Sequence, residues 1–151
     1  MLICVASTIR LFVAPLSGKM CDCYGRRFVL LFCGCFYTIM ILLLATSTNI
    51  ITFCFYYFLQ SIPRGMGPIA LAIYLSENLP THNRGKMFLI FTMFIPIGLA
   101  VSSFVAWVIL DDFTTGDWRL YLYVLGIIHI ILLSFACWKL PISPRWLIFD
   151  D

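Results

Sequence analysis

Long apolar stretches separated by short polar ones dominate this chain. Most of them are close to or longer than the roughly 20 residues that an α-helix needs to cross the hydrocarbon core of a bilayer. Each stretch is hydrophobic nearly all round, as expected of helices surrounded by lipid or by other helices. The pattern predicts an all-α membrane protein with five transmembrane helices, at about residues 1–17, 28–46, 50–75, 88–110 and 118–140.

The polar segments between these stretches differ in charge. Residues 18–27 and 76–87 contain lysine and arginine, whereas 47–49 and 111–117 contain neither. Irregular polar backbone is not tolerated in hydrocarbon, so we expect residues 18–27 to form a tight loop at a membrane surface. Because cytoplasmic loops carry an excess of lysine and arginine, the asymmetry predicts an external N-terminus and a cytoplasmic C-terminus.

Composition supports lipid as the solvent of this chain. Hydrophobic residues make up 62% of it and charged residues 11%, against about 25% charged residues in soluble domains. A soluble chain of 151 residues could not bury so much apolar surface. The net charge of +3 is small, so nucleic acid is not indicated as a partner.

The chemistry-bearing residue types do not form an enzyme site. The sequence contains no phosphate-binding loop, no zinc-ligand spacing and no paired carboxylates within an apolar stretch, so we expect no catalytic residue, metal or cofactor. Its seven cysteines are odd in number and lie mostly in apolar runs, which favours buried hydrophobic side chains over a disulfide framework. Palmitoylation of Cys21 or Cys23 is the open alternative.

Charged residues recur at the predicted cytoplasmic ends of the helices. A bundle brings such loops together, so opposite charges there can form a network that differs between two conformations. The alternative is ordinary positive-inside charge with no switching role. The residues concerned are Asp22, Arg26, Arg27, Glu77, Arg84 and Arg145.

Three segments that contain these charged residues resemble signatures of the major facilitator superfamily of transporters. GKMCDCYGRR at 18–27 is similar to the loop 2–3 signature G-x-L-x-D-x-x-G-R-[RK]. YLSENLPTHNRG at 74–85 resembles the E-x6-R-G signature after helix 4, and PISPRWL at 141–147 resembles P-E-S-P-R-[WY]-L after helix 6. They occur in family order and at family spacing. The residues at 74–86 and 138–147 are most similar to those of the organic ion transporters and the synaptic-vesicle-protein-like group.

The resemblance implies a fold and a function. Residues 1–147 would be helices 2 to 6, a partial N-terminal six-helix half, with 148–151 starting a cytoplasmic segment. As part of a secondary transporter, the chain would help to move a small polar organic solute, an organic ion or a sugar, by alternating access. The transport could be with or without a coupling ion. Its partners would be the bilayer and a C-terminal half, in the plasma membrane or an intracellular vesicle. The alternative is a truncated, non-transporting protein that associates with other membrane subunits.

The resemblance also assigns roles to residues. It implies a cytoplasmic gate formed by Gly18, Asp22, Gly25, Arg26, Arg27, Glu77, Arg84 and Arg145. Departures from the family pattern are Ile142, which replaces a glutamate of the network, and Tyr57 and Ser61, which replace an arginine and a glycine of helix 4.

Two arginines, Arg10 and Arg64, lie within apolar stretches. A central arginine costs about 2.5–3.5 kcal/mol on insertion scales, so it is expected to face a cavity or a partner. We expect Arg64 to meet an anionic substrate group or a counter-charge, and Arg10 is a weaker candidate for the same role. The alternatives for Arg64 are carbonyls freed near Pro68, or a compensating charge outside this chain. For His129 we expect a packing role.

Overall fold

The computed structural model describes residues 2–79, 82, 84–110 and 117–139. Over these residues the chain forms five α-helices and no strand, which confirms the predicted all-α class. In chain order they are α1 (Leu2–Tyr24), α2 (Arg26–Ala45), α3 (Ile50–Asn78), α4 (Arg84–Ile109) and α5 (Trp118–Lys139).

The predicted loop at 18–27 is wrong as a description of the backbone. Helix α1 continues to Tyr24 and α2 begins at Arg26, which leaves Gly25 as the only break. A helix can extend past the hydrocarbon because its backbone hydrogen bonds stay internal while its polar side chains are solvated. Gly25 breaks the helix because its φ of 83° lies in the left-handed region, which glycine adopts without steric cost.

Helix α3 also extends beyond its predicted end, and covers part of the polar segment expected at 76–87. Asn78 donates a side-chain hydrogen bond of 2.8 Å to the carbonyl of Tyr74 and so stabilises the added turn. Most of the predicted acidic loop at 111–117, and the segment 140–151 with Ile142 and Arg145, lie outside the described residues.

The core lies where α1, α2 and α3 meet. Helix α3 packs against both α1 and α2, and α2 packs in turn against α5. Ser17 on α1 is fully buried and donates a 3.0 Å hydrogen bond to the carbonyl of Met66 on α3. The buried cluster comprises Cys21, Val29, Cys33, Met66 and Ala70.

Glycines set the closest helix approaches. A Cβ added at Gly65 on α3 would lie 3.0 Å from the Arg10 Cα on α1, and one at Gly126 on α5 would lie 2.7 Å from a methyl carbon of Leu42 on α2. Because lipid is as apolar as the helix surfaces, membrane helices associate through such close packing. Small residues therefore hold α1 against α3 and α5 against α2.

Three of the described helices are long and apolar enough to cross a membrane, namely the segments Arg26–Ala45, Gly85–Ile109 and Trp118–Lys139. By the same criteria of length and apolar composition, helices α1 and α3 are not among them. Both contain proline and a central arginine, and they pack tightly on each other. The two helices that contain an arginine within an apolar stretch thus pack against each other.

Candidate functional site

Arg26 joins the ends of two helices at the face where α1 and α3 end and α2 begins. Its Nη2 lies 2.9 Å from a carboxylate oxygen of Glu77 and 3.3 Å from one of Asp22. The Arg26 and Glu77 side chains are 13% and 8% exposed, whereas that of Asp22 is 72% exposed. The Arg26–Glu77 pair is therefore shielded from solvent, whereas Asp22 in the Arg26–Asp22 pair is solvated. Removal of one partner from the shielded pair is expected to cost much more stability than removal of Asp22.

Gly25 positions this cluster. Its left-handed conformation turns the chain from α1 into α2 within one residue, so Asp22 and Arg26 face each other across the turn. Gly25 is itself buried, and its carbonyl accepts a 3.3 Å bond from the Val29 amide. Any other residue here would be strained.

Arg27 links the same face to α5. Its Nη2 donates a 3.1 Å hydrogen bond to the carbonyl of Cys137, in the last turn of that helix. Four helices, α1, α2, α3 and α5, are thus connected at one end of the bundle by two consecutive arginines. Within the described part of the chain, the Nε atoms of Arg26 and Arg27 are buried and have no hydrogen-bond acceptor.

The other residues predicted for the gate are less informative. Gly18 lies inside α1, and a Cβ there would meet nothing within 4 Å. The side chain of Arg84 and all of Arg145 lie outside the described residues. The structure therefore brings Asp22, Arg26 and Glu77 together and places Arg27 beside them.

The two juxtamembrane cysteines differ in accessibility. Cys21 is fully buried, whereas Cys23 is exposed. Since a cysteine must be accessible to react, a single-cysteine variant that retains Cys23 should react with a maleimide far faster than one that retains Cys21. The two rates would be measured by mass shift on the detergent-solubilised chain. Equal rates would contradict the described end of α1.

A second feature is a cavity of about 530 Å³ between α2, α3, α4 and α5. A smaller cavity of about 230 Å³ near the turn at 47–49 shares Phe53 and Trp118 with it. Arg119 donates a 3.1 Å bond to the Ser47 carbonyl and fixes the start of α5 beside that turn. The polar and aromatic residues that line the larger cavity are Tyr37, Phe53, Tyr57, Gln60, Arg64, Ser102, Trp118 and Tyr121.

Arg64 is the middle residue of the 29-residue helix α3, and its side chain lines this cavity. Its guanidinium carbon lies 5.8 Å from the centre of the Tyr37 ring, a cation–π distance. The Tyr37 ring also contacts the His129 ring, and the two ring centres are 4.6 Å apart. The expected packing role of His129 agrees with this contact.

Arg10 occupies a different place. Its backbone lies against Gly65 at the α1–α3 interface, and it does not line the described cavity. The structure therefore separates the two arginines that the sequence grouped as substrate-binding candidates. Tyr37, Gln60 and Tyr121 were missed, because a polar aromatic or amide residue within an apolar stretch gives no signal of the cavity it faces.

The described residues contain no group of three or more histidine, cysteine, aspartate or glutamate side chains that could hold a metal ion.

Comparison with known sequences assigns the chain to a family of transporters. All of residues 1–151 match the family model described as "Sugar (and other) transporter". The proton myo-inositol cotransporter hmit-1.1 of Caenorhabditis elegans is 34% identical over 87% of this chain and 22% of its own length. The glucose transporter GlcP of Staphylococcus epidermidis is 28% identical over 87% of this chain and 29% of its own length. The chain therefore spans less than a third of the length of these curated relatives.

Solved structures show the same fold. The inward-open xylose transporter XylE from E. coli superposes with a TM-score of 0.82 at 23% identity, over 97% of this chain and 38% of that one. A D-xylose–proton symporter superposes with a TM-score of 0.80 at 24% identity, over the same shares. The five helices thus follow the fold of part of a major facilitator transporter. By sequence and by fold, this chain belongs to the sugar transporter family of the major facilitator superfamily.

Proposed function

We propose that this chain forms part of a secondary transporter that carries a sugar or polyol across a membrane by alternating access. The observation that carries the proposal is the family match over all of residues 1–151. Named relatives transport glucose and myo-inositol, which favours a hydroxylated solute over an organic ion. The match likewise favours transport over a purely scaffolding role.

The proposal includes a proton as the coupling ion. Support comes from two relatives, a proton myo-inositol cotransporter and a D-xylose–proton symporter. Collapse of the proton gradient should then abolish uptake of the sugar or polyol against its own concentration gradient. Facilitated exchange of the same solute across the membrane should remain intact.

The cluster at Arg26 is proposed as a latch on the cytoplasmic side. Asp22, Arg26 and Glu77 join α1, α2 and α3, and Arg27 adds α5. Gly18, Gly25, Arg84 and Arg145 belong to the same proposed gate through the family resemblance. A coupling energy of about 1–3 kcal/mol shifts a conformational equilibrium about 5–150-fold, and a shielded ion pair at the helix ends can supply that amount.

The proposed orientation places this latch in the cytoplasm and the turn at 47–49 outside. The basic residues around Gly25 support it through the positive-inside rule. A membrane-impermeant maleimide should label Cys23 in inside-out vesicles and leave it unlabelled in right-side-out vesicles. The opposite pattern would reverse the orientation.

A chimera tests the transport function. The chain would replace the superposed segment of the D-xylose–proton symporter, whose fold it shares over 97% of its length. Cells that express the chimera should accumulate radiolabelled D-xylose or myo-inositol above the level of an empty vector. Fluorescence-detected size exclusion would verify that the chimera is monodisperse in the membrane extract.

The matched control is the same chimera with Arg26→Ala, which removes the residue that joins Asp22 to Glu77. Uptake should fall while the size-exclusion profile stays unchanged. A monodisperse chimera that takes up neither solute would overturn the proposed function, and full uptake by the Arg26→Ala chimera would overturn the latch.

A further inference from the structure

The turn at 47–49 forms one wall of the smaller cavity, which has a volume of about 230 Å³. This turn follows α2 at the end opposite the Arg26 cluster, about 30 Å away along the 20 residues of that helix. The other wall comes from Phe53 on α3 and from Trp118, the first residue of α5. The smaller cavity is therefore separate from the cluster at Arg26.

Two side chains of this turn have hydrogen-bonding groups that are not used within the described part of the chain. The neighbouring hydroxyls of Thr46 and Ser47 each donate a 2.8 Å bond to a carbonyl of α2. By contrast, Thr48 and Asn49 are exposed, and neither side chain is bonded to another described residue. Since a hydroxyl and an amide both donate and accept, the turn offers two adjacent polar groups beside the cavity.

Trp118 contributes an aromatic surface that is held in place. Its side chain is 41% exposed. The Phe53 ring meets it edge-on with the ring centres 5.9 Å apart, and the Arg119 guanidinium carbon lies 5.3 Å from its ring centre. Arg119 also ties α5 to the turn through the Ser47 carbonyl. A site whose parts are already ordered costs less to occupy than one that binding must order.

These groups match the two kinds of surface that a cyclic sugar or polyol exposes. One is a ring face of C–H groups, which packs against an aromatic side chain, and the other is an edge of hydroxyls, which need donors and acceptors. Small-molecule sites combine an apolar wall with a few placed polar groups in this way. A lipid acyl chain in the same cavity would cover Thr48 and Asn49 without pairing them, which is costly.

We propose that the cavity at the 47–49 turn is a surface binding site for a cyclic sugar or polyol, separate from the midplane site of alternating access. The C–H face of the solute lies on Trp118, and its hydroxyls bond to Thr48 and Asn49. The choice of solute rests on the proposed function. Because few groups make contact, the dissociation constant is expected to be about 1–10 mM.

Saturation-transfer difference NMR on the full chain in phosphatidylcholine nanodiscs tests the proposal, with myo-inositol as the probe and empty nanodiscs as the blank. Irradiation of the protein should transfer magnetisation to the C–H protons of myo-inositol. Ethylene glycol, which has hydroxyls but no ring face, should receive about fivefold less. Trp118→Leu should reduce transfer to myo-inositol to the level of ethylene glycol.

Thr48→Val should raise the dissociation constant of myo-inositol about 3–10-fold, because it removes one hydroxyl at nearly constant volume. Thr48 is exposed, so this variant tests the site even where Trp118→Leu does not fold. The matched control is Tyr57→Phe, which removes a hydroxyl from the larger cavity alone. It should leave the dissociation constant unchanged.

An unchanged dissociation constant in Thr48→Val, or equal transfer to myo-inositol and ethylene glycol, would overturn the surface site. So would a loss of binding in Tyr57→Phe alone, since the solute would then occupy the larger cavity. The chimera separates this inference from the proposed function. Transport by the chimera without binding by the chain would overturn the surface site and leave the function standing, and the reverse result would overturn the function while supporting the site.

Discussion

Glu77→Ala should lower the free energy of unfolding by about 3 kcal/mol, whereas Asp22→Ala should lower it by about 0–1 kcal/mol. Both carboxylates meet the same atom, Arg26 Nη2, but Glu77 does so at 2.9 Å with an 8% exposed side chain and Asp22 at 3.3 Å with a 72% exposed one. Removal of the shielded partner leaves a largely buried guanidinium with only a solvated neighbour. Sodium dodecyl sulfate titration of the chain in mixed micelles, followed by Trp fluorescence, would measure both changes.

A double-mutant cycle isolates the Arg26–Glu77 term. The energies of Arg26→Ala and Glu77→Ala should fail to add by more than about 1 kcal/mol, as expected for residues in direct contact. The matched cycle of Arg26→Ala with Asp22→Ala should be additive to within about 0.5 kcal/mol. Similar coupling in the two cycles would show that shielding does not distinguish the pairs.

Gly65→Ala should destabilise the chain by about 1–3 kcal/mol, the usual cost of overpacking a close contact. The new Cβ would lie 3.0 Å from the Arg10 Cα and 3.2 Å from the Arg10 carbonyl oxygen. These are backbone atoms, so no side-chain rotation relieves the clash, and α1 must move away from α3. That movement would also stretch the buried bond from Ser17 to the Met66 carbonyl. The same detergent titration measures the effect.

Gly98→Ala is the control, because it makes the same change inside helix α4, where a Cβ meets nothing within 4 Å. It should be neutral or stabilising by about 0.5–1 kcal/mol, since alanine loses less backbone entropy than glycine in a helix. Equal destabilisation by the two substitutions would mean that α1 does not approach α3 at Gly65.

The polar and apolar pattern determined much of this protein. The length of the apolar stretches indicated five helices, and charge placement grouped Asp22, Arg26 and Glu77 at one end, because loops between antiparallel spans alternate between two surfaces. The same pattern misplaced the end of α1. Polar side chains mark where the hydrocarbon ends, but a helix can continue past that level as long as its backbone hydrogen bonds remain internal. Helix α1 ends at Tyr24 because the next residue, Gly25, adopts a positive φ.

Tertiary structure alone decided how the helices face one another. Each apolar stretch is hydrophobic nearly all round, so no periodicity showed that Gly65 lies against Arg10 or that Tyr37 lies beneath Arg64. It likewise separated Glu77 from Asp22 in burial and Arg64 from Arg10 in surroundings. In lipid the sequence records which segments avoid water, whereas contacts between equally apolar surfaces depend on shape, which only the packed bundle defines.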